Sequence, residues 1–95
     1  MKHRRDATKV IHEILSVGSG GITKTQLIHR ANLSFRLAEK YLKLLLDVGW
    51  LRVESTLDGK SRFVITREGK RVQKTLSELE RELAKLFSRA GQDHL

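Results

Sequence analysis

Hydrophobic positions along the chain fall into blocks whose spacing changes from a helical period to an alternating one and back again. Val10, Ile11, Ile14 and Leu15 share one helical face, which predicts a first helix from a cap near Asp6 to the break at Gly18-Ser19-Gly20-Gly21. That glycine-rich run reads as a flexible connector. Thr23 followed three residues later by Gln26 is a capping box, so a short helix starts there with Leu27 and Ile28 on its apolar side. Arg30-Ala31-Asn32-Leu33 ends it, because Asn32 tolerates the left-handed backbone of a sharp turn. Ser34 caps a third helix, in which from Phe35 onward Ala38, Tyr41, Leu42 and Leu45 recur at i, i+3, i+4 and i+7 until Gly49 supplies the stop. Trp50 to Glu54 and Arg62 to Ile65 then read as two strands around Leu57-Asp58-Gly59-Lys60, with Leu51, Val53, Phe63 and Ile65 facing inward. Thr66 caps a last helix, where Val72, Leu76, Leu79, Leu83, Leu86 and Ala90 follow at alternating spacings of four and three, a heptad seam.

The second and third helices, joined by so short a turn, form a helix-turn-helix, and what the third leaves outside its apolar face decides its use. Arg36, Lys40 and Lys43 share one side of it, a basic stripe on the helix that in this motif reads DNA. A helix of this kind fits the major groove, its first turns at base edges and its cations on phosphates. Sequence reading would come from Ser34, Phe35, Arg36 and Lys40, with Arg36 suited to guanine and Phe35 to a thymine methyl, unless Phe35 belongs to the core. Lys24, Thr25 and Arg30 of the preceding helix complete the candidate surface. Leu37, Leu44 and Val48 make a second apolar stripe on the third helix, available to the last helix of the same chain or of a partner.

The run Leu33-Ser34-Phe35-Arg36-Leu37-Ala38-Glu39-Lys40 through Leu42, Leu45, Gly49, Trp50 and Leu51 resembles the recognition-helix signature of winged helix-turn-helix proteins. Phe63-Val64-Ile65-Thr66-Arg67-Glu68-Gly69 resembles that family's strand-to-helix exit, an aromatic and an aliphatic residue followed by Thr-x-x-Gly. Over about residues 7 to 90 the chain is similar to the small basic archaeal members that dimerise through a C-terminal coiled coil. The resemblance implies a mainly α fold with a β-hairpin wing, in which Lys60, Ser61 and Arg62 lie at or near the wing tip and touch the DNA backbone. Lys2, Arg4 and Arg5 would form a basic arm ahead of the first helix.

The division expected is a DNA-binding domain over residues 1–66 and a dimerisation helix with a short tail over 67–95. Residues 67–90 would make a rod of roughly 36 Å at about 1.5 Å per residue, longer than one small body needs. Val72, Leu76, Leu79, Leu83, Leu86 and Ala90 would carry a homodimer. The resemblance implies antiparallel pairing, yet pairing about position 81 sets Glu80 and Glu82 near their own copies, so the helix direction stays open.

Charge sharpens the partner. The chain carries 19 Lys+Arg against 11 Asp+Glu, a net +8, which favours a polyanion and above all duplex DNA. Residues 1–75 hold 16 basic against 7 acidic residues, whereas residues 76–95 hold 3 against 4, so the field belongs to the body and not to the rod. No apolar run approaches the length of a membrane span, and the start lacks a signal-peptide core, which points to the cytoplasm and the nucleoid. With no Cys, no His cluster at metal spacing and no nucleophile constellation, neither an enzyme nor a cofactor or metal site is expected. Gly59-Lys60-Ser61 ends like a phosphate-binding loop, but Glu54 stands where its first glycine should be. The expectation is a dimeric double-stranded DNA-binding protein, a transcription regulator or an architectural protein; the alternative is a protein-interaction adaptor.

Overall fold

The computed structural model describes the backbone of residues 2–94 and the side chains of residues 7–89. Its elements run α1 (Lys2–Val17), a 3₁₀ turn (Gly18–Gly20), α2 (Lys24–Arg30), α3 (Phe35–Asp47), β1 (Leu51–Ser55), β2 (Ser61–Ile65) and α4 (Arg67–His94). α1 begins at Lys2, four residues ahead of the cap expected at Asp6. Lysine and arginine are good helix formers and nothing in Lys2-His3-Arg4-Arg5 breaks a helix, so the expected arm is the first turn of α1. The side chains of Arg4 and Arg5, like that of Ala90, lie outside the described residues.

Among the described residues nine buried apolar side chains make the core: Ile14 and Leu15 of α1, Ile22, Leu27 of α2, Ala38, Leu42 and Leu45 of α3, and Leu51 and Ile65 of the hairpin. For α1 and α3 the periodicities that predicted the helices therefore also predicted the faces they bury. β1 and β2 pair antiparallel with Leu51 opposite Ile65, Val53 opposite Phe63 and Ser55 opposite Ser61. Ile22 pairs with the other edge of β2: its N–H donates to the Phe63 carbonyl at 2.9 Å and its carbonyl accepts from the Phe63 N–H at 2.8 Å.

That bridge corrects two expectations. The run Gly18–Gly21 is ordered by it and is no loose connector. Gly18 is buried below Leu51 and Ile65, and Gly21, at φ 84°, turns the chain into the bridge. Val53 is the second: it is 49% exposed, because β1 is the edge strand and has left the body two residues after Leu51.

α3, the hairpin and α4 meet at one junction. α3 ends in a Schellman motif, with Gly49 at φ 82° donating to Leu46 at 3.1 Å and Trp50 donating to Leu45 at 2.9 Å. The Trp50 carbonyl accepts from the Thr66 N–H at 3.1 Å, closing the root of the hairpin. The Thr66 hydroxyl donates to the Gly49 carbonyl at 2.6 Å and accepts from the Gly69 N–H at 3.0 Å, so the cap of α4 is tied to the stop of α3. The first turn of α4 lies on the Trp50 carbonyl so closely that only glycine fits at position 69.

Beyond its first turn, α4 leans on α1 through polar pairs. Gln73 donates to the Ser16 hydroxyl at 3.3 Å, and His12 lies 3.0 Å from the Ser77 hydroxyl and 3.3 Å from the Glu80 carboxylate. Val72 packs against the core, and every described residue from 78 to 89 is exposed. The helix thus runs out past the body, and the molecule measures 55 Å along its long axis against 26 and 20 Å across.

A Cβ at Gly69 would stand 2.2 Å from the Trp50 carbonyl oxygen and 2.7 Å from the Ile65 side chain. Backbone cannot yield there as a flexible side chain could, so Gly69→Ala is expected to cost at least about 2 kcal/mol. Gly20→Ala, with nothing within 4 Å of the new methyl, is the control and should change stability little. Urea unfolding of the two variants checks the difference.

Candidate nucleic-acid interface

The geometry of α2 and α3 is fixed at both ends by local chemistry. At the start of α2 the Thr23 hydroxyl accepts from the Gln26 N–H at 3.2 Å while the Gln26 carbonyl group accepts from the Thr23 N–H at 3.1 Å. At its end Asn32 takes φ 52°, and Asn32 and Leu33 donate to His29 and Ile28 at 3.4 and 3.1 Å, a second Schellman stop. Ser34 then caps α3 by accepting from the Leu37 N–H at 3.1 Å. Two helices are joined by a turn with little freedom, and the angle between them follows.

Burying Ala38, Leu42 and Leu45 turns the opposite side of α3 to solvent, and Arg36, Lys40 and Lys43 lie on it. Arg36 and Lys40 have no ion-pair partner among the described residues, whereas Lys43 approaches Asp47 at 3.7 Å one turn on. Phe35, left open between core and surface by the sequence, is 59% exposed. Lys24 is not a free cation: its ammonium sits 2.6 Å from the Glu39 carboxylate and 5.0 Å from the centre of the Phe35 ring. Thr25 and Arg30 are exposed on α2. Between α3 and Phe63 of β2 runs a groove of about 540 Å³, with Arg36, Lys40 and Lys43 along its helical wall.

The wing divides its candidates. Side chains alternate along β2, so Ser61 and Phe63 share one face and Arg62 and Val64 the other. Phe63 lines the groove; Arg62 lies alongside Gly21 on the opposite face, with Glu54 as its cross-strand neighbour. Arg62 is therefore not brought together with the cations of α3, and an ion pair of Arg52 with Glu54 lies on its side of the sheet. Lys60 is exposed in the connecting loop. That loop is tight: Thr56 donates to the Lys60 carbonyl at 2.9 Å, Gly59 donates to Thr56 at 3.0 Å, and Gly59 takes φ 81°. Asp58 works inside it, its carboxylate accepting from the Thr56 hydroxyl and, at 3.1 Å, from the Lys60 N–H. The Thr56 hydroxyl and then the Lys60 amide hold this carboxyl below its ordinary pKa, with a smaller contribution from Arg62. The one acid of the tip is thus spent on the shape of the loop.

A family model for the winged helix-turn-helix matches residues 4–84. The chain belongs to the winged helix-turn-helix family. The winged-helix fold, mainly helical with a two-stranded hairpin and a long C-terminal helix, is the one expected from the sequence. The chain is similar to the uncharacterized protein MJ0287 of Methanocaldococcus jannaschii, at 32% identity over 79 residues, 82% of this chain and 76% of that one. Among solved structures it is similar to Sso10a-2, a DNA-binding protein of Sulfolobus solfataricus, with a TM-score of 0.77 at 24% identity over 90% of this chain and 88% of that one. The transcriptional regulator BldR of the same organism gives a TM-score of 0.77 at 18% identity, over 83% of this chain and 59% of the longer BldR chain. At these identities the structural likenesses concern the fold. No described helix of this winged helix-turn-helix protein is long and apolar enough to cross a membrane. Among the described residues no group of three or more His, Asp or Glu could hold a metal.

Sequence reasoning missed Glu39, which lies four residues after Phe35 and fifteen after its partner Lys24. Only the packing of α2 on α3 brings those two charges together, and no local pattern announces it.

A carboxyl held below its ordinary pKa in the folded hairpin favours the fold while ionised. Its contribution is complete above the ordinary carboxyl range and is lost as the pH falls through the lowered folded value. Amide exchange at Gly59 and Lys60, followed by NMR as the pH is lowered and divided by the intrinsic rate at each pH, should quicken in that acid range. In Asp58→Asn it should be quick already at neutral pH and lose the acid step.

Proposed function

We propose that this chain is a non-catalytic, dimeric protein that binds double-stranded DNA, as a transcription regulator or a chromatin protein on the nucleoid of the cytoplasm. α3, with its caps residues 34–48, enters the major groove; Lys60 and Ser61 of the wing and Arg4 and Arg5 of α1 hold flanking phosphates. The observation that carries this reading is the pair Arg36 and Lys40, exposed and unpaired among the described residues on the side of α3 turned away from the core. A cation left without an internal partner on a rigid helix is available to phosphate or to guanine. The names of Sso10a-2 and BldR, a DNA-binding protein and a transcriptional regulator, support it.

In this reading residues 1–66 read DNA and residues 67–95 pair the chain with a second copy. Leu79, Leu83 and Leu86 are 52, 40 and 58% exposed, and α4 meets α1 through polar groups, so its leucines are left over from folding. Val72 is used by the chain's own core, so the seam available to a partner starts at Leu76 and runs on toward Ala90. The Glu80 carboxylate lies 3.3 Å from the His12 ring of its own chain, and the direction of the paired helices stays open. A protein-interaction adaptor is favoured by one observation, the exposure of Leu37, Leu44 and Val48 beside the basic stripe of α3.

If each half makes four phosphate contacts, the dimer neutralises about eight, and log K is expected to fall against log salt with a slope near −7. Arg36→Glu or Lys40→Glu should abolish binding in fluorescence-anisotropy titrations of duplex DNA. An adaptor would show a shallow slope and lose nothing in these variants. The double variant Leu83→Glu, Leu86→Glu should sediment as a monomer while keeping the unfolding midpoint of the body. A variant that remains dimeric would place the contact between copies elsewhere.

A further inference from the structure

We propose that Phe35 is a specificity-determining side chain that meets the 5-methyl group of a thymine, and that Lys24 and Glu39 are positioning residues that hold its ring for that contact. The inference rests on the DNA reading above and deepens it.

Phe35 is the first residue of α3, directly after the Ser34 cap, and it is one of five aromatic residues in the chain. The core lies on the side of Ala38, Leu42 and Leu45, and Phe35 stays 59% exposed. Packing does not fix the ring; charge does. Lys24 reaches from the first turn of α2 to within 5.0 Å of the ring centre, where the negative face of an aromatic attracts a cation. Glu39, one helical turn after Phe35, holds that ammonium at 2.6 Å. The three side chains span both helices of the motif, so the ring's position is set by the frame that sets the helix angle.

The electrostatics of this arrangement suit discrimination better than general affinity. Glu39 places a carboxylate beside the basic stripe and neutralises Lys24, which lowers the attraction for any phosphate. What it secures is one apolar group in a defined place at the leading end of the helix. Specificity is a difference between affinities, and a side chain that weakens indiscriminate binding while fixing a base contact widens that difference. The apolar feature that the major groove offers is the thymine methyl, and an aromatic ring is among the groups that meet it.

Replacement of thymine by deoxyuridine tests the contact, because it removes the methyl and leaves the hydrogen-bonding edge unchanged. Duplexes would first be selected with the full chain from a random library, then substituted at one thymine at a time and titrated. One position in each half-site should lose about fourfold in affinity on substitution, the factor for one methyl-sized group taken out of water. Phe35→Ala should bind both duplexes equally. Lys24→Met and Glu39→Gln should narrow the difference with unchanged circular dichroism, and Glu39→Gln should bind random duplexes more tightly.

Duplex binding that ignores the substitution at every thymine would overturn the proposal and leave the DNA reading standing. So would a thymine preference that survives in Phe35→Ala. Preference kept intact in Lys24→Met and Glu39→Gln would overturn the positioning role. Failure of the chain to bind duplex DNA at all would remove both readings together.

Discussion

The approach of α4 to the carbonyl of Trp50, close enough to demand glycine at position 69, is the constraint from which the relative placement of everything else follows. Within a few residues the stop of α3, the root of the hairpin and the cap of α4 share atoms: the Thr66 hydroxyl serves Gly49 on one side and Gly69 on the other. Three elements that would otherwise be joined by hinges are fixed at one point. The direction of α3 is then coupled to that of the wing and to that of the long helix. A reading helix is useful only if its inclination to the duplex is defined, and here two glycines and a threonine define it. Gly49 supplies a positive φ, while Gly69 supplies the missing side chain.

On that frame the chain sorts its charges. The face of α3 opposite the core holds Arg36 and Lys40 without an ion-pair partner among the described residues, and Phe63 lines the groove beside it. The other face of the hairpin pairs Arg52 with Glu54 and sets Arg62 across from the same carboxylate, so two cations there share one acid within the sheet. A net positive body is thus not uniformly attractive to a polyanion. Arg36 and Lys40 are the part of its unanswered charge that the rigid helix can present.

The parts of this structure that were legible in the sequence are those set by chemistry within a few residues. Thr23 with Gln26, Ser34, Asn32 and Gly49 each do what their type and place suggested, because a cap or a left-handed stop needs only its own neighbours. The heptad of α4 was legible too, though not its division: Val72 turns to the core and Leu79 to solvent, a matter of where the body ends. What was missed is non-local. The bridge of Ile22 to Phe63 spans one residue and has no period to detect, so the glycines before it looked slack. The alternation of Leu51 and Val53 was read correctly as a strand, but alternation cannot say at which residue an edge strand leaves its support. The contact of Lys24 with Glu39 and Phe35 joins two helices and belongs to the same class.

Among the described residues, all nine buried apolar side chains lie between Ile14 and Ile65, and none comes from residues 78–89 of α4. Residues 78–89 consequently answer to no jigsaw. Substitutions there can accumulate or revert without refolding being renegotiated, so descendants of one ancestral gene could exchange their associates while keeping an identical reading head. Divergence of paralogues through such a stretch is cheap, and it would leave little trace in the melting behaviour of the molecules that result.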